Sequence, residues 1–166
     1  MPTGPAARIT DTVAHPLPPV LTGGPTAVTV IIGFLPAWRG VNPAVAAAMQ
    51  AAKAASDALI TAAEAATVAA AGTPGAPAAL AAEQATKASC AAAMGSAISS
   101  AAGGSDIHAC VTPLPIPPHG PGIVITPSAT VMIANFPAAR MGDTILEAVG
   151  PPNTITKGEM TVIIGG

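Results

Sequence analysis

The residues best suited to chemistry in this sequence are its three histidines and the cysteine that two of them flank. His108 precedes Cys110 by two residues, His119 follows it by nine, and His15 lies near the start of the chain. Three imidazole nitrogens and one thiolate sulfur are a donor set that zinc accepts in tetrahedral geometry. If His15, His108, Cys110 and His119 meet, they form a closed, structural site for one zinc ion.

A repeated spacing gives a reason for His15 and Cys110 to meet. Each lies four residues after an aspartate, so an internal repeat would place the two at equivalent positions. The same count from Asp143 reaches Glu147. We interpret Glu147 either as a displaced fifth ligand or as the residue that remains where the last repeat supplies no ligand.

Other interpretations of these residues stay open at this point. A lone histidine is more often a surface or hydrogen-bonded residue, and the spacing matches no common zinc-finger pattern. A catalytic zinc would need an open coordination position and a general base, for which Glu147 is the only candidate. Phosphate-binding loops and nucleophile motifs are absent from the sequence, so we expect a protein that is not an enzyme. Cys90, far from any histidine, is expected to be a small buried side chain.

Two short peptides recur along the chain and indicate the elements that would position these ligands. Pro-Ala-Ala-Arg occurs at 5–8 and at 137–140, and a variant, Pro-Ala-Trp-Arg, lies between them at 36–39. An aspartate follows the first and the last copy by three residues. We expect Arg8 and Arg140 to bond neighbouring carbonyl groups or these aspartates.

The second recurring peptide is Thr-Val-x-Ile, at 29–32, 130–133 and 161–164. Its alternation of residue types predicts β-strands. The distance from Asp11 to the first strand equals the distance from Asp143 to the last, at 18 residues. Equal spacing of this kind is typical of an internal repeat.

These peptides divide the chain into three repeats, at about 5–35, 36–136 and 137–166. A unit of about 30 residues cannot bury its apolar face alone, so the copies must pack on one another around a shared core. The sequence therefore predicts a single domain spanning 1–166, with internal pseudo-threefold symmetry and a long insertion in the second repeat.

The insertion, at 43–104, differs in composition from the rest of the chain. Alanine dominates 44–71 and 78–100, and glycine and proline separate the two stretches, which predicts an antiparallel helical hairpin. Three uses of the hairpin remain open: decoration of a loop, docking of a partner, and insertion into a membrane. Charged residues in the middle of the helices would make membrane insertion costly.

The composition excludes several classes of function. Only 8% of the residues are charged and the net charge is -2, so the chain lacks the basic surface that binds nucleic acid. Aromatic residues make up 2% of the chain, which predicts a thin core that needs a metal. Neither a signal peptide nor a membrane span is evident, so we expect a cytosolic protein with thiols or metal ligands rather than a disulfide.

The recurring Pro-Ala-Ala-Arg and Thr-Val-x-Ile peptides resemble those of the PAAR-repeat proteins, which cap the spike of type VI secretion systems and related contractile injection machines. The likeness covers 1–42 and 105–166. It implies a mainly β fold, in which β-hairpin repeats form a pseudo-threefold cone with the alanine-rich helical hairpin inserted. A zinc ion would lie near the point of the cone, and the Thr-Val-x-Ile strands would form an apolar base on the trimeric valine-glycine-repeat (VgrG-type) spike.

The resemblance also implies a set of ligands and partners. The ligands of the family carry over to His15, Cys110 and His119, with His108 as the fourth. The implied function is a non-enzymatic tip that caps and sharpens the spike, with one copy per trimer, and helps to attach or deliver effectors. The free chain would be a monomer, assembled in the cytoplasm and then secreted or injected without a signal peptide, with no nucleic-acid partner and no stable membrane insertion.

Two alternatives to this function are kept. One is an adaptor that uses the helical hairpin to recruit an effector or chaperone. The other is a small secreted zinc-dependent toxin, for which the sequence offers no additional reactive cluster.

Overall fold

The alanine-rich segment folds into two long helices. The computed structural model describes residues 2–14, 21, 29–110 and 119–166. Helix α1 is Pro43–Ala70, and its first turn is capped by Asn42, whose side-chain oxygen accepts the N–H of Val45 at 3.0 Å. Helix α2 is Ala76–Ala102 and ends at Gly103, which has the left-handed conformation common at helix ends. The helices pack on each other and lie where the high helix propensity of alanine predicts them.

The two ends of this hairpin have different surroundings. Near its base, Met94 and Ile98 of α2 pack in a buried cluster with Ile123 and Leu146. Further out, Leu59, Val68 and Leu80 are exposed to solvent. In the described part of the chain, neither helix is apolar enough over a sufficient length to cross a membrane.

Short strands account for the regular structure outside the hairpin. They are β1 Gly4–Ala6, β2 Ile31–Ile32, β3 Leu35–Pro36, β4 His108–Cys110, β5 Gly120–Val124, β6 Met132–Ile133, β7 Phe136–Pro137, β8 Thr144–Glu147, β9 Asn153–Thr154 and β10 Glu159–Ile164. All described pairs are antiparallel. They form three two-stranded sheets, β1–β10, β2–β3 and β6–β7, and one four-stranded sheet in the order β4-β5-β8-β9.

The expectation of a mainly β cone of hairpin repeats is wrong. The helices contain 28 and 27 residues, whereas the longest described strand, β10, has six. Two of the three Thr-Val-x-Ile peptides pair over only two residues, in β2 and β6. The chain is therefore a mixed α and β protein with small, separate sheets, because the alanine-rich insertion supplies more regular structure than the repeats do.

The three Pro-Ala-x-Arg peptides nevertheless meet in the centre of the β part. The N–H of Ala7 donates to the carbonyl of Ala139 at 3.0 Å, the N–H of Ala139 to Trp38 at 2.9 Å, and the N–H of Trp38 back to Ala7 at 2.8 Å. These three hydrogen bonds close a cycle, which we call the alanine ring. The three residues of the ring are buried together in one core cluster, in which Trp38 supplies the large side chain and the two alanines leave room for it.

The Thr-Val-x-Ile peptides pack on this ring with one face and expose the other. Their fourth residues, Ile32, Ile133 and Ile164, are buried in one cluster with three alanines that directly precede the ring residues, Ala6, Ala37 and Ala138. Their third residues are exposed to nearly the same extent, Ile31 by 56%, Met132 by 53% and Ile163 by 59%. Alternation along a strand explains the difference. We call the three exposed residues the hairpin face.

Each Pro-Ala-x-Arg arginine forms a two-pronged contact with an aspartate, here called a fork. In the two local forks, Arg8–Asp11 and Arg140–Asp143, the aspartate follows the arginine by three residues. In the interrupted fork, Arg39–Asp106, the helical hairpin lies between the two residues in sequence. In all three, one carboxylate oxygen also accepts the backbone N–H of the arginine, at 2.7–2.8 Å. The expectation that Arg8 and Arg140 bond their neighbouring aspartates is confirmed.

Candidate metal centre

Strand register brings the side chains of His108 and Glu147 together in the four-stranded sheet. His108 of β4 pairs with Gly122 of β5, and Gly122 pairs in turn with Glu147 of β8. Residues opposite each other in neighbouring strands share a face of the sheet. Because the residue between them is a glycine, the two side chains approach each other above the sheet, with His108 Nε2 3.5 Å from Glu147 Oε1.

Gly122 leaves little space for any side chain. A Cβ atom at this position would lie 2.8 Å from Cγ2 of Ile145 and 2.9 Å from Cγ of Glu147. Both distances are shorter than folded proteins tolerate for a Cβ contact. Glycine at this position is therefore a condition for the site.

The residue pair two positions further along the same strands, on the same face of the sheet, positions the sulfur. Cys110 pairs with Gly120, and His119 precedes that glycine directly. Cys110, His119 and Glu147 offer one sulfur, one nitrogen and one oxygen within 4.8 Å of one another. Cys110 and Glu147 are buried and His119 is half-buried. This group can hold a metal ion.

Glu147 is the centre of the hydrogen bonding in the group. Its Oε2 lies 2.8 Å from Nδ1 of His119 and accepts the side-chain N–H of Asn153 at 2.7 Å. A carboxylate held from two sides has a fixed orientation, which lowers the entropic cost of using it as a ligand. A thiolate and a carboxylate together balance the charge of a divalent cation, and the imidazole adds a neutral donor.

The structure brings only part of the expected ligand set together. Cys110 and His119 are in the group, whereas His108 contacts Glu147 and is not one of the three. His15 lies outside the described residues, so its place in the site stays a prediction. Glu147 completes the described group, although the spacing from Asp143 left open whether it is a ligand.

Sequence reasoning missed Asn153. It reaches the site because β9 pairs with β8, where Asn153 lies opposite Ile145. No spacing or motif in the sequence marks this pairing.

Comparisons with known proteins add no family to this description. Neither a scan against protein-family models nor a search of curated proteins finds a match to the chain.

Proposed function

We propose that the chain is a non-enzymatic, zinc-bearing tip that caps the trimeric VgrG-type spike of a type VI secretion or related contractile injection system. The observation that carries the proposal is the alanine ring, in which three similar peptides of one chain surround a common centre. A trimer presents three equal surfaces about its axis, so a single chain with three equivalent contact positions matches it. One copy per trimer follows from this match.

The hairpin face supplies the contact surface in this proposal. Ile31, Met132 and Ile163 hold equivalent positions, and each leaves more than half of its apolar side chain in water. Contiguous exposed apolar residues are typical of protein interaction surfaces. Arg8, next to the β2–β3 turn, is paired with Asp11 and Glu159. Covering the hairpin face with a partner would therefore not leave a buried charge without a counter-charge.

Zinc is the metal proposed for the group of Cys110, His119 and Glu147. Zinc accepts sulfur, nitrogen and oxygen ligands together, whereas magnesium and calcium prefer oxygen alone. When bound, it supplies cross-links between β4, the start of β5 and the end of β8. Binding energy of this kind is also folding energy, which suits a small sheet with a thin core.

A cavity of about 920 Å3 favours an adaptor role as a second candidate function. It lies between the two helices and the turn at 149–152. Its walls combine alanine and proline with charged pairs, including Lys53–Asp57 and Lys87–Glu64. An effector or chaperone bound here would travel with the tip from the cytoplasm into the target cell.

Native mass spectrometry of the chain co-expressed with a trimeric VgrG-type spike protein tests the proposal. We expect a complex of three spike chains, one copy of this chain and one zinc ion. A chain that stays free, or that binds one copy to each spike chain, would contradict the proposed cap.

Two cysteine variants test whether Cys110 is a zinc ligand. Cys110→Ala is expected to lose the zinc, and Cys90→Ala, which alters the other buried thiol far along α2, is expected to keep it. Metal content measured by inorganic mass spectrometry distinguishes them. Equal zinc content in both variants would exclude Cys110 as a ligand.

A further inference from the structure

The turn of the β2–β3 hairpin carries a backbone conformation that its sequence does not favour. Gly33 and Phe34 both have positive φ, 53° and 70°. Two-residue turns of this type are dominated by asparagine, aspartate and glycine, because other side chains clash with the backbone at positive φ. The equivalent turn between β6 and β7 has Asn135, at φ 67°, where the first turn has Phe34.

Steric crowding allows only glycine at the first turn position, Gly33. The second position is Phe34, which must therefore adopt the positive φ that the turn requires. A Cβ atom on Gly33 would overlap the carboxylate of Glu159. Arg8 bonds that carboxylate, and its Nη1 also lies 3.5 Å from the carbonyl oxygen of Gly33. The surrounding contacts thus hold the turn in place and impose the unfavourable φ on Phe34.

Phe34 gains no burial within the chain in return for this strain. Its surface is 98% exposed, more than that of any other large apolar residue described. The other two aromatic residues are used internally: Trp38 is buried in the core, and the ring of Phe136 lies 5.1 Å from the Arg39 guanidinium. A strained backbone that holds an aromatic ring in water is typical of a binding residue rather than a structural one.

The position of Phe34 connects it with the proposed contact surface. It follows Ile31 by three residues, at the tip of the same hairpin, so the ring extends the hairpin face outward. The charged groups nearest the turn, Arg8 and Glu159, are paired with each other. The matching surface of a partner is therefore apolar and uncharged.

We propose that Phe34 is the anchor residue of the hairpin face, and that its ring enters an apolar crevice on one of the three chains of the trimeric spike. This rests on the proposed function. The equivalent places in the other two sectors hold Asn135 and the terminal Gly166, which offer no apolar side chain. The tip would thus bind a threefold partner through one dominant contact and two weaker ones.

The test replaces Phe34 by the residue of the sister turn. Phe34→Asn should leave the midpoint of chemical unfolding of the free chain unchanged or raised, because asparagine tolerates positive φ. Its affinity for the purified trimeric spike protein should fall at least about thirtyfold, as for other aromatic anchors. Val68→Asn, which alters an exposed apolar residue on the distal part of α1, is the matched control and should bind like the original chain.

The outcomes separate the anchor from the function on which it rests. An original chain that binds the spike, with Phe34→Asn binding equally well, overturns the anchor and leaves the proposed function intact. An original chain that does not bind the spike overturns both. Self-association of the free chain that Phe34→Asn abolishes would assign the residue to a contact with a second copy and also overturn the proposal.

Discussion

The local forks and the interrupted fork make the same contact over very different lengths of chain. In a local fork the aspartate follows the arginine by three residues, whereas Asp106 follows Arg39 by 67. The backbone N–H of the arginine bonds the carboxylate in each case, at nearly equal distances. The geometry of the fork is therefore set by the alanine ring that carries the arginines, and not by the loop that leads to the aspartate.

The interrupted fork joins two residues that are far apart in sequence, and both of its side chains are deeply buried. Its side chains are 1% and 0% exposed, and the Arg39 guanidinium also donates to the carbonyl of Gly104 at 3.0 Å. Closing a longer loop costs entropy, although the cost rises only with the logarithm of its length. A large insertion is tolerated at this position because the ends of the hairpin are fixed by a strong, buried contact.

The largest expected effect comes from breaking the interrupted fork. Asp106→Asn leaves the buried guanidinium of Arg39 without its counter-charge, and we expect a loss of about 3–5 kcal/mol in the free energy of unfolding. Asp11→Asn should cost about half as much, because Arg8 keeps its ion pair with Glu159. Urea unfolding followed by the fluorescence of Trp38, the single tryptophan, measures both.

A matched control uses a carboxylate outside the forks. Asp57→Asn removes a half-exposed pair with Lys53 on α1 and should cost less than about 1 kcal/mol. Equal losses for Asp106→Asn and Asp11→Asn would show that burial does not distinguish the forks.

The turn inside the local forks offers a reciprocal test. Thr10, between Arg8 and Asp11, has φ 73°, and the equivalent residue of the other local fork is Gly142 at φ 92°. Thr10→Gly should raise the free energy of unfolding by about 0.5–1 kcal/mol, since relief of the strain exceeds the added entropy of the unfolded chain. Gly142→Thr should lower it by at least as much. Opposite signs in urea unfolding would confirm that the two forks share one turn.

Shortening the insertion tests how far the interrupted fork depends on loop length. Removing two turns from each helix, at 61–67 and 79–85, keeps the base of the hairpin and its connecting turn. We expect the free energy of unfolding to change by less than about 1 kcal/mol, because the distal part buries few side chains. The entropic cost of closing the loop between Arg39 and Asp106 also changes only slowly with loop length. A loss of several kcal/mol in thermal unfolding would instead show that the distal hairpin supports the fork.

The smallest effect concerns acid pH and the extra partner of Arg8. The Thr161 hydroxyl, the Thr161 N–H and the Arg8 guanidinium hold the pKa of Glu159 below its ordinary value of 4.5. The Glu159 carboxylate therefore takes up a proton more readily in the unfolded chain than in the folded chain. The stability that Glu159 contributes is present above pH 4.5 and is lost as the pH falls through the lowered pKa of the folded state. Glu159→Gln should flatten the acid side of the stability profile, and an unchanged profile would contradict this assignment.

Local patterns predicted the helices but not the extent of the sheets. Helix propensity is a property of each residue and helical hydrogen bonds link residues four apart, so alanine content and the glycine and proline break located α1 and α2. The Thr-Val-x-Ile pattern predicted strands at three places, yet pairing is limited to two residues in β2 and β6. Strand length depends on available partners, which the pattern does not contain.

The candidate site shows the same limit. Cys110 and His119 were recognised from residue type and spacing, and Glu147 was singled out without a settled role. Its role depends on a register that passes through Gly122, and a one-residue slip would turn the side chain to the other face of the sheet. The register depends on how β4, β5 and β8 pair with one another. The spacing of residues along the sequence does not contain this information.

The pairing of β1 with β10 has a consequence for how the molecule folds. Gly4 lies opposite Ile164, and Pro5 opposite Ile163, so a contact of the alanine-ring region joins opposite ends of the described chain. Contacts between residues so far apart in sequence form slowly, because the entropy of closing the intervening chain is lost before the contact stabilises the fold. During synthesis this strand pair cannot form until residues 159–164 have left the ribosome, which makes it a late step of folding and the helical hairpin an early one.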